Sequence, residues 1–565
     1  MQKPHSIRLS LRIAVMLLFM SGVTQVLISP VRAQQRETRT RLHFHGQHPF
    51  PQDPRHVPSK PRPPVTVVRF RSIDGRENNA EHPAWGAVGN HLRRMAPAVY
   101  SDGFNAMAGS GRLSAREISN LVFDQIEPRS NRRNLSSMVW QWGQFLDHDI
   151  VLTHSAEPLE VAAIAVPAGD IFFDPFATGD KRIGFFRSEY GITTGVNRPR
   201  QQVNFITAWI DGSNIYGSDD QTANQLRTFV QGKLKTSAGD LLPQNVAGFF
   251  MAGDIRANEQ VGLTSLHTLF VREHNRIAAH YHAMRPHYND EQIYLRARKL
   301  VIAQLQAISF REFLPALLGK HPLRPYRGYR SDVSPKIING FATAAYRMGH
   351  SMLPAELEVR LPAHPFEEIE FLALKDAFFN PLLIQANGIE PYLLGLCHQT
   401  CQELDTFVVD DVRNFLFGNP GAGGFDLAAL NIQRGRDHGL PDYNALRVAA
   451  GLPPARRFQD ITSNPELVSK LQMAYEFNID DVDSWVGMLA EDHLPGTSTG
   501  PTVRSILQQQ FEALRDGDRF WYERHLNSTD LDWVNQSKLA DVITRNTLVA
   551  EKHIPQDVFR VEGKR

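Results

Sequence analysis

Apolar residues recur at three- and four-residue intervals through long stretches of this chain, a period that marks amphipathic helix. Three segments, 134–148, 263–284 and 290–314, carry it without an interior proline. Pro315 predicts a stop for the third, because proline lacks the N–H that the next turn needs. Residues 337–350 are periodic too, although Gly340 and Gly349 weaken the pattern. Alternation at period two is short and scattered, as at 357–361. Proline- and glycine-rich stretches at 320–330 and 418–424 separate the helices, and no solenoid or propeller repeat is visible. The pattern predicts a mainly α fold: one large helical domain over 66–565 with little β structure.

The N-terminus reads differently. Lys3, Arg8 and Arg12 precede an apolar run at 13–20, and Val31-Arg32-Ala33 offers small residues for cleavage after Ala33. This predicts a signal peptide over 1–33 and a secreted or periplasmic product. Ser21, Gly22 and Gln25 break the run, which is short for a span. No later stretch reads as long and apolar enough to cross a bilayer, so no stable membrane span is expected. Residues 34–65 are rich in Pro, His and Arg without a period and read as a flexible lead.

Composition adds exclusions. Lys plus Arg total 61 against 60 for Asp plus Glu, so the net charge of +1 carries no nucleic-acid footprint. A hydrophobic share of 42% supplies a packed core. The two cysteines, Cys397 and Cys401, rule out a disulfide scaffold, and thiols four apart on one helix do not readily bridge. Rigidity must come from the core and from a bound cofactor or ion.

The run WQWGQFLDHDI at 140–150 places ionisable groups straight after apolar ones. On a helix Trp140, Gln144 and His148 share a face, Asp147 stands beside it, and Asp149 turns about 100° further round. Alone, this reads as well as a core histidine flanked by surface acids. In Thr207–Ser213 the oxygens of Thr207, Trp209, Asp211 and Ser213 alternate and can converge, a donor set that suits calcium if a second acid such as Asp149 joins. A simple Asx turn remains open there. Arg347 and His350, Asn431 and Arg434, and Arg256 with Glu259 form further polar pairs at helical spacing. Together the inventory suits a haem, with one axial histidine, a histidine and an arginine for peroxide, and arginines for the propionates.

WGQFLDHD, TAWIDGSNIYGS, AGDIRANE with LHTLFVREHNRIA, YRMGH and LNIQRGRDHGLPDYN follow one another in the order that resembles the animal haem peroxidases. The likeness runs from FRSIDGRENNAEHPAWGAVG at 70–89 to FWYERH at 520–525. It implies a mostly helical fold around haem b. It casts His148, Arg256 and Gln144 as the distal catalytic set and His350 as the axial ligand. Asn431 would accept the other N–H of that imidazole, with Arg347 and Arg434 near the propionates. Asp147 and Glu259 would form haem esters, and Asp149, Thr207, Trp209, Asp211 and Ser213 would hold calcium. Gln260 stands where some members have a methionine linked to haem, so that third link is expected to be absent and chloride a poor substrate.

The resemblance implies an enzyme that reduces hydrogen peroxide and oxidises bromide, iodide, thiocyanate or small phenolic donors. Two alternatives stay open: a fatty-acid oxygenase of the same superfamily, or an extracellular adhesion or matrix protein on this scaffold. The oxygenase needs a tyrosine three before the axial histidine. Here that position is Arg347, and an α-helix would rotate Tyr346 away. A calcium-binding hydrolase finds no nucleophile elbow or HExxH run to support it.

Overall fold

The computed structural model describes residues 70–562, so the expected signal peptide, the lead and residues 66–69 lie outside it. Helices dominate. Apart from isolated bridges, the described strands form two short antiparallel pairs, β1 (Ile164–Ala165) with β2 (Arg182–Ile183) and β3 (Glu356–Arg360) with β4 (Ile369–Ala373). β3 lies where alternation at 357–361 predicted it.

Helix α1 spans Met138–Ile150, so it begins four residues later than the pattern predicted and runs two past His148. Asn134 sits at φ 54°, a left-handed conformation that cannot open a helix. Leu135 and Ser136 instead bridge to Arg560 and Thr400. The back of α1 anchors the core: Trp142 and Phe145 pack on Phe270 with ring centroids 5.7 and 5.5 Å away. Truncating a buried aromatic of this size costs about 3–5 kcal/mol. The opposite face of α1 is therefore held rigidly toward the interior.

Four further elements frame the site. α2 is the short helix Ser213–Tyr216, and α3 spans Val261–Met284, capped by the Gln260 side chain on the Gly262 N–H. α4 spans Asp290–Ile308 behind a reciprocal cap between Asn289 and Gln292. Pro315 does not end it. A π turn over Ser309–Phe313 carries the chain into α5, Leu314–Leu318, with Pro315 in its first turn. The wider turn accommodates the missing N–H. The continuous stretch Asp290–Leu318 is long and apolar enough to cross a membrane, contrary to the reading of the sequence, but 78% of its apolar window is buried inside the protein. It is a core helix that packs on α3.

The periodic segment 337–350 also divides. α6 covers Asn339–Thr343, and a 3₁₀ segment, Ala345–Met352, follows. On a 3₁₀ turn residues three apart eclipse, which sets Arg347 and His350 on one side. α7, Leu427–Asp437, is capped by the Asp426 carboxylate on the Ala429 N–H. Cys397 lies in the helix Glu390–His398 and Cys401 beyond its end; both are buried free thiols.

Candidate functional site

α1, the loop entering α3, the 3₁₀ segment and α7 line a cavity of about 300 Å³. Trp140, Gln144, Asp147 and His148 line it from α1, Arg256, Glu259 and Gln260 from the loop, and Arg347 and His350 from the 3₁₀ segment. An adjoining chamber of about 270 Å³ shares Asp147, Arg256, Glu259 and Arg347 and adds Asn431, Arg434 and His438. The six positions that read as scattered polar pairs thus converge on two adjoining chambers.

His148 is only 4% exposed. Burial, and then the Arg256 charge, hold its pKa well below the usual 6.5, so the ring is neutral at physiological pH. Its Nε2 lies 3.9 Å from Glu259 Oε2 and its Nδ1 3.8 Å from Asp254 Oδ1. Asp254 grips Arg256 as a fork: Oδ1 accepts from the backbone N–H and from Nε, both at 2.8 Å, and Oδ2 accepts from Nη2 at 2.8 Å. Burial pushes the Asp254 carboxyl up, but the Arg256 charge and bonds bring it to about 2. Nη2 also donates to the Val151 carbonyl at 3.0 Å, while Nη1 faces Asp147 at 3.7 Å. The sequence reading passed over Asp254; its only signal is its place two residues before Arg256.

Gln144 is locked by amides. Its Nε2 donates to Glu259 Oε2 at 2.7 Å, and its Oε1 accepts from Gln260 at 3.1 Å and Gln141 at 3.2 Å. Gln260 also donates to Gln141. Gln260 therefore has a role of its own, as a clamp that fixes which end of the Gln144 amide meets Glu259. Burial raises Glu259 to about 7 and Asp147 to about 6, in both cases against the lowering charge of Arg256.

On the opposite wall, Asn431 Nδ2 lies 2.7 Å from His350 Nδ1, and Asn431 Oδ1 accepts from Arg347 Nη1 at 2.9 Å. The pairing expected from the sequence is present with its sense reversed, because Arg347 claims the amide oxygen. Burial, then Arg347, lowers His350 to about 3. Arg347 donates besides to the Ala342 carbonyl at 3.0 Å and forms no ion pair among the described residues. Burial and the neighbouring Arg434 lower it to about 10. Arg434 is already engaged with Asp437 at 3.0 Å, Ser188 at 2.7 Å and the Phe185 ring at 4.2 Å. Tyr346 departs from expectation: it lines the cavity, stacked on Phe341 at 4.6 Å.

Asp149, 1% exposed, points away from the cavity toward the Thr207–Ser213 loop. Its Oδ2 accepts from the Gly212 N–H at 3.2 Å, and its carbonyl accepts from Ser213 Oγ at 2.7 Å. Gly212, at φ 72°, cannot carry a side chain here, since a Cβ would meet the Tyr216 ring at 2.9 Å. Asp211 Oδ1 accepts from Thr207 Oγ1 at 2.9 Å, while Oδ2 is buried without a partner. Burial and then the Asp211 charge raise Asp149 to about 8; burial raises Asp211 to about 6. Trp209 is buried with its indole bonded to the Gly75 carbonyl at 3.1 Å. Among the described residues no three His, Cys, Asp or Glu side chains gather as a metal cluster, so any cation here would draw on hydroxyl and carbonyl oxygens besides the two acids.

Known proteins share this arrangement of elements. The chain is 36% identical to peroxinectin A of Dictyostelium discoideum over 508 residues, covering 85% of this chain and 93% of that protein. It is 34% identical to mouse thyroid peroxidase across 89% of this chain and 62% of that one. Peroxidase A of Dictyostelium discoideum superposes with a TM-score of 0.80 at 34% identity, covering 87% of this chain and all of that one. A fatty acid alpha-dioxygenase of Arabidopsis thaliana, 22% identical, shares the fold with a TM-score of 0.77 over 88% of this chain and 85% of its own. A sequence profile described as animal haem peroxidase matches residues 70–559. The chain belongs to the animal haem peroxidase family and is a haem-dependent peroxidase.

Proposed function

We propose that haem b lies between His148 and His350 and that the enzyme reduces hydrogen peroxide while oxidising bromide, iodide, thiocyanate or small phenolic donors. The observation that carries this is the convergence of two neutral imidazoles, an aimed arginine and an unpaired one on a single cavity. Bound haem supplies the iron that takes up peroxide and the store of oxidising equivalents passed to the donor.

The chain supplies the proton chemistry and the aim. Neutral His148 takes a proton from peroxide and returns it to the departing oxygen. Arg256, held by Asp254, stabilises the negative charge that develops there. His350 can offer Nε2 to iron only with its proton on Nδ1. A half-turn of the Asn431 amide would present oxygen to that proton and release Arg347, whose guanidinium is then free for a haem carboxylate. Asp147 and Glu259 face the cavity as candidates for ester links, and Gln260 offers no sulfur for a third, which favours donors easier to oxidise than chloride.

Calcium suits the second site: Asp149, Asp211, the Thr207 and Ser213 hydroxyls and the Trp209 carbonyl. Two buried acids with one orphaned oxygen are costly until a cation joins them. Such an ion would tie α1 to the loop and so fix His148. A secreted or periplasmic location rests on the N-terminal pattern alone.

The Tyr346 placement brings the oxygenase reading closer than the sequence did, but its buried hydroxyl has no partner to take a proton, and a tyrosine oxidised without one is unfavourable. The test is His148→Ala in haem-loaded enzyme. Peroxide turnover should collapse with the Soret band retained; full turnover would overturn the assignment.

A further inference from the structure

Behind His148, away from the cavity, four buried polar atoms of neighbouring residues have no hydrogen-bond partner: Nδ1 of His148, both ring nitrogens of His267 and Oδ1 of Asn214. His267, on α3, is fully buried, its ring edge-on to Phe145 with centroids 5.0 Å apart. It is near enough to His148 for its charge to lower that imidazole's pKa. Asn214, on α2, donates Nδ2 to the Phe145 carbonyl at 2.8 Å and accepts the Asp254 N–H on its own carbonyl at 3.0 Å. That carbonyl lies beside the His267 ring but outside hydrogen-bond geometry. Asp254 cannot serve His148 directly, because 3.8 Å is too long and Arg256 already occupies its oxygens.

A neutral imidazole carries one donor and one acceptor, and burying both unpaired is costly. A buried pocket with several such atoms is where folded proteins keep an ordered water, typically with about three partners. We propose that one ordered water joins His148 Nδ1, His267 and Asn214 Oδ1, which makes His267 a positioning residue for the peroxide step. The water accepts the Nδ1–H of His148 and donates to the bare nitrogen of His267 and to Asn214 Oδ1. The proton is thereby kept on Nδ1, and the lone pair of Nε2 faces the cavity, as a base there requires. Helices α3 and α2 thus control the tautomer of a side chain on α1.

This inference rests on His148 acting as the base, and the experiment separates the two. In haem-loaded enzyme, the rate constant for reaction with hydrogen peroxide is measured by stopped flow for His267→Phe, His267→Gln and His148→Ala. The phenylalanine variant should slow about 10–100-fold, the usual scale for losing an outer partner of a catalytic group. The glutamine variant, which can still hold a water, should recover most of the rate, and the later oxidation of donor should be unchanged in both. Equal rates in wild type and His267→Phe, or equal losses in both His267 variants, would overturn the proposal. If His148→Ala keeps its rate, the reading of His148 itself fails. A crystal structure of the wild-type holoenzyme decides the case even if the phenylalanine variant does not fold: density within hydrogen-bond distance of His148 Nδ1 and His267 is expected, and its absence would refute the water.

Discussion

Replacing Asp254 by asparagine keeps the shape of the side chain and removes what aims Arg256. The carboxylate accepts three bonds from that one residue, each 2.8 Å long. In Asp254→Asn one acceptor becomes an N–H₂ facing a guanidinium nitrogen, and the ion pair is gone. Breaking a buried pair from one side costs about 3–5 kcal/mol. An independent figure comes from the depressed carboxyl, at about 2 in the fold against an ordinary 3.8. That shift is worth roughly 2–3 kcal/mol. Since the folded pKa is the lower one, this stability is present above pH ~4 and is lost as pH falls toward ~2. Asp254→Asn should therefore unfold earlier in urea by about 2–4 kcal/mol at neutral pH and lose part of its acid sensitivity. Arg256 would swing from its fork toward Asp147, 3.7 Å from Nη1. Misplacing a charge-stabilising group by an ångström costs about 100-fold in rate. The assay is stopped-flow absorbance at the Soret band on mixing with peroxide. A haem-replete Asp254→Asn enzyme reacting within twofold of wild type would refute the argument that Arg256 needs this fork.

Calcium removal by chelator should lower the melting temperature, and more at pH 8 than at pH 5.5. Without the ion, Asp149 and Asp211 are raised to about 8 and about 6; the fold then holds protons that the unfolded chain releases, and its stability falls as pH rises from ~4 to ~8. Calcium bound between them would displace those protons, so an equal calcium gain at both pH values would contradict the proposed site. After peroxide treatment, acid–acetone should fail to extract the haem, and Asp147→Val or Glu259→Gln should each loosen it; complete extraction from wild type would remove the ester proposal. Oxygen uptake with linoleate should stay at background, and steady uptake would favour the oxygenase reading.

The parts of this site that could be read in the sequence are those fixed by helical period. The turn of α1 places Gln144 and His148 on the cavity and Asp149 on the opposite side, as the 100° step requires. Asn134 misleads because its left-handed backbone leads into bridges of Leu135 and Ser136 to Arg560 and Thr400, remote in the chain. Pro315 looks like an end because a π turn leaves no apolar signature, and the 3₁₀ winding that sets Arg347 beside His350 cannot be told from α in a glycine-bearing segment. Asp254 and His267, and the clamping role of Gln260, escape the sequence for a common reason. Each acts by gripping or facing another side chain, and that depends on tertiary proximity rather than spacing. The sense of the Asn431 amide was likewise hidden, being set by Arg347 from another element.

The crystal structure of the haem-loaded enzyme is the most direct test of the central claim. Iron bonded to Nε2 of His350, with His148 across the ring and unbonded, is the predicted result. Iron held by His148, or a macrocycle seated outside this cavity, would contradict the account.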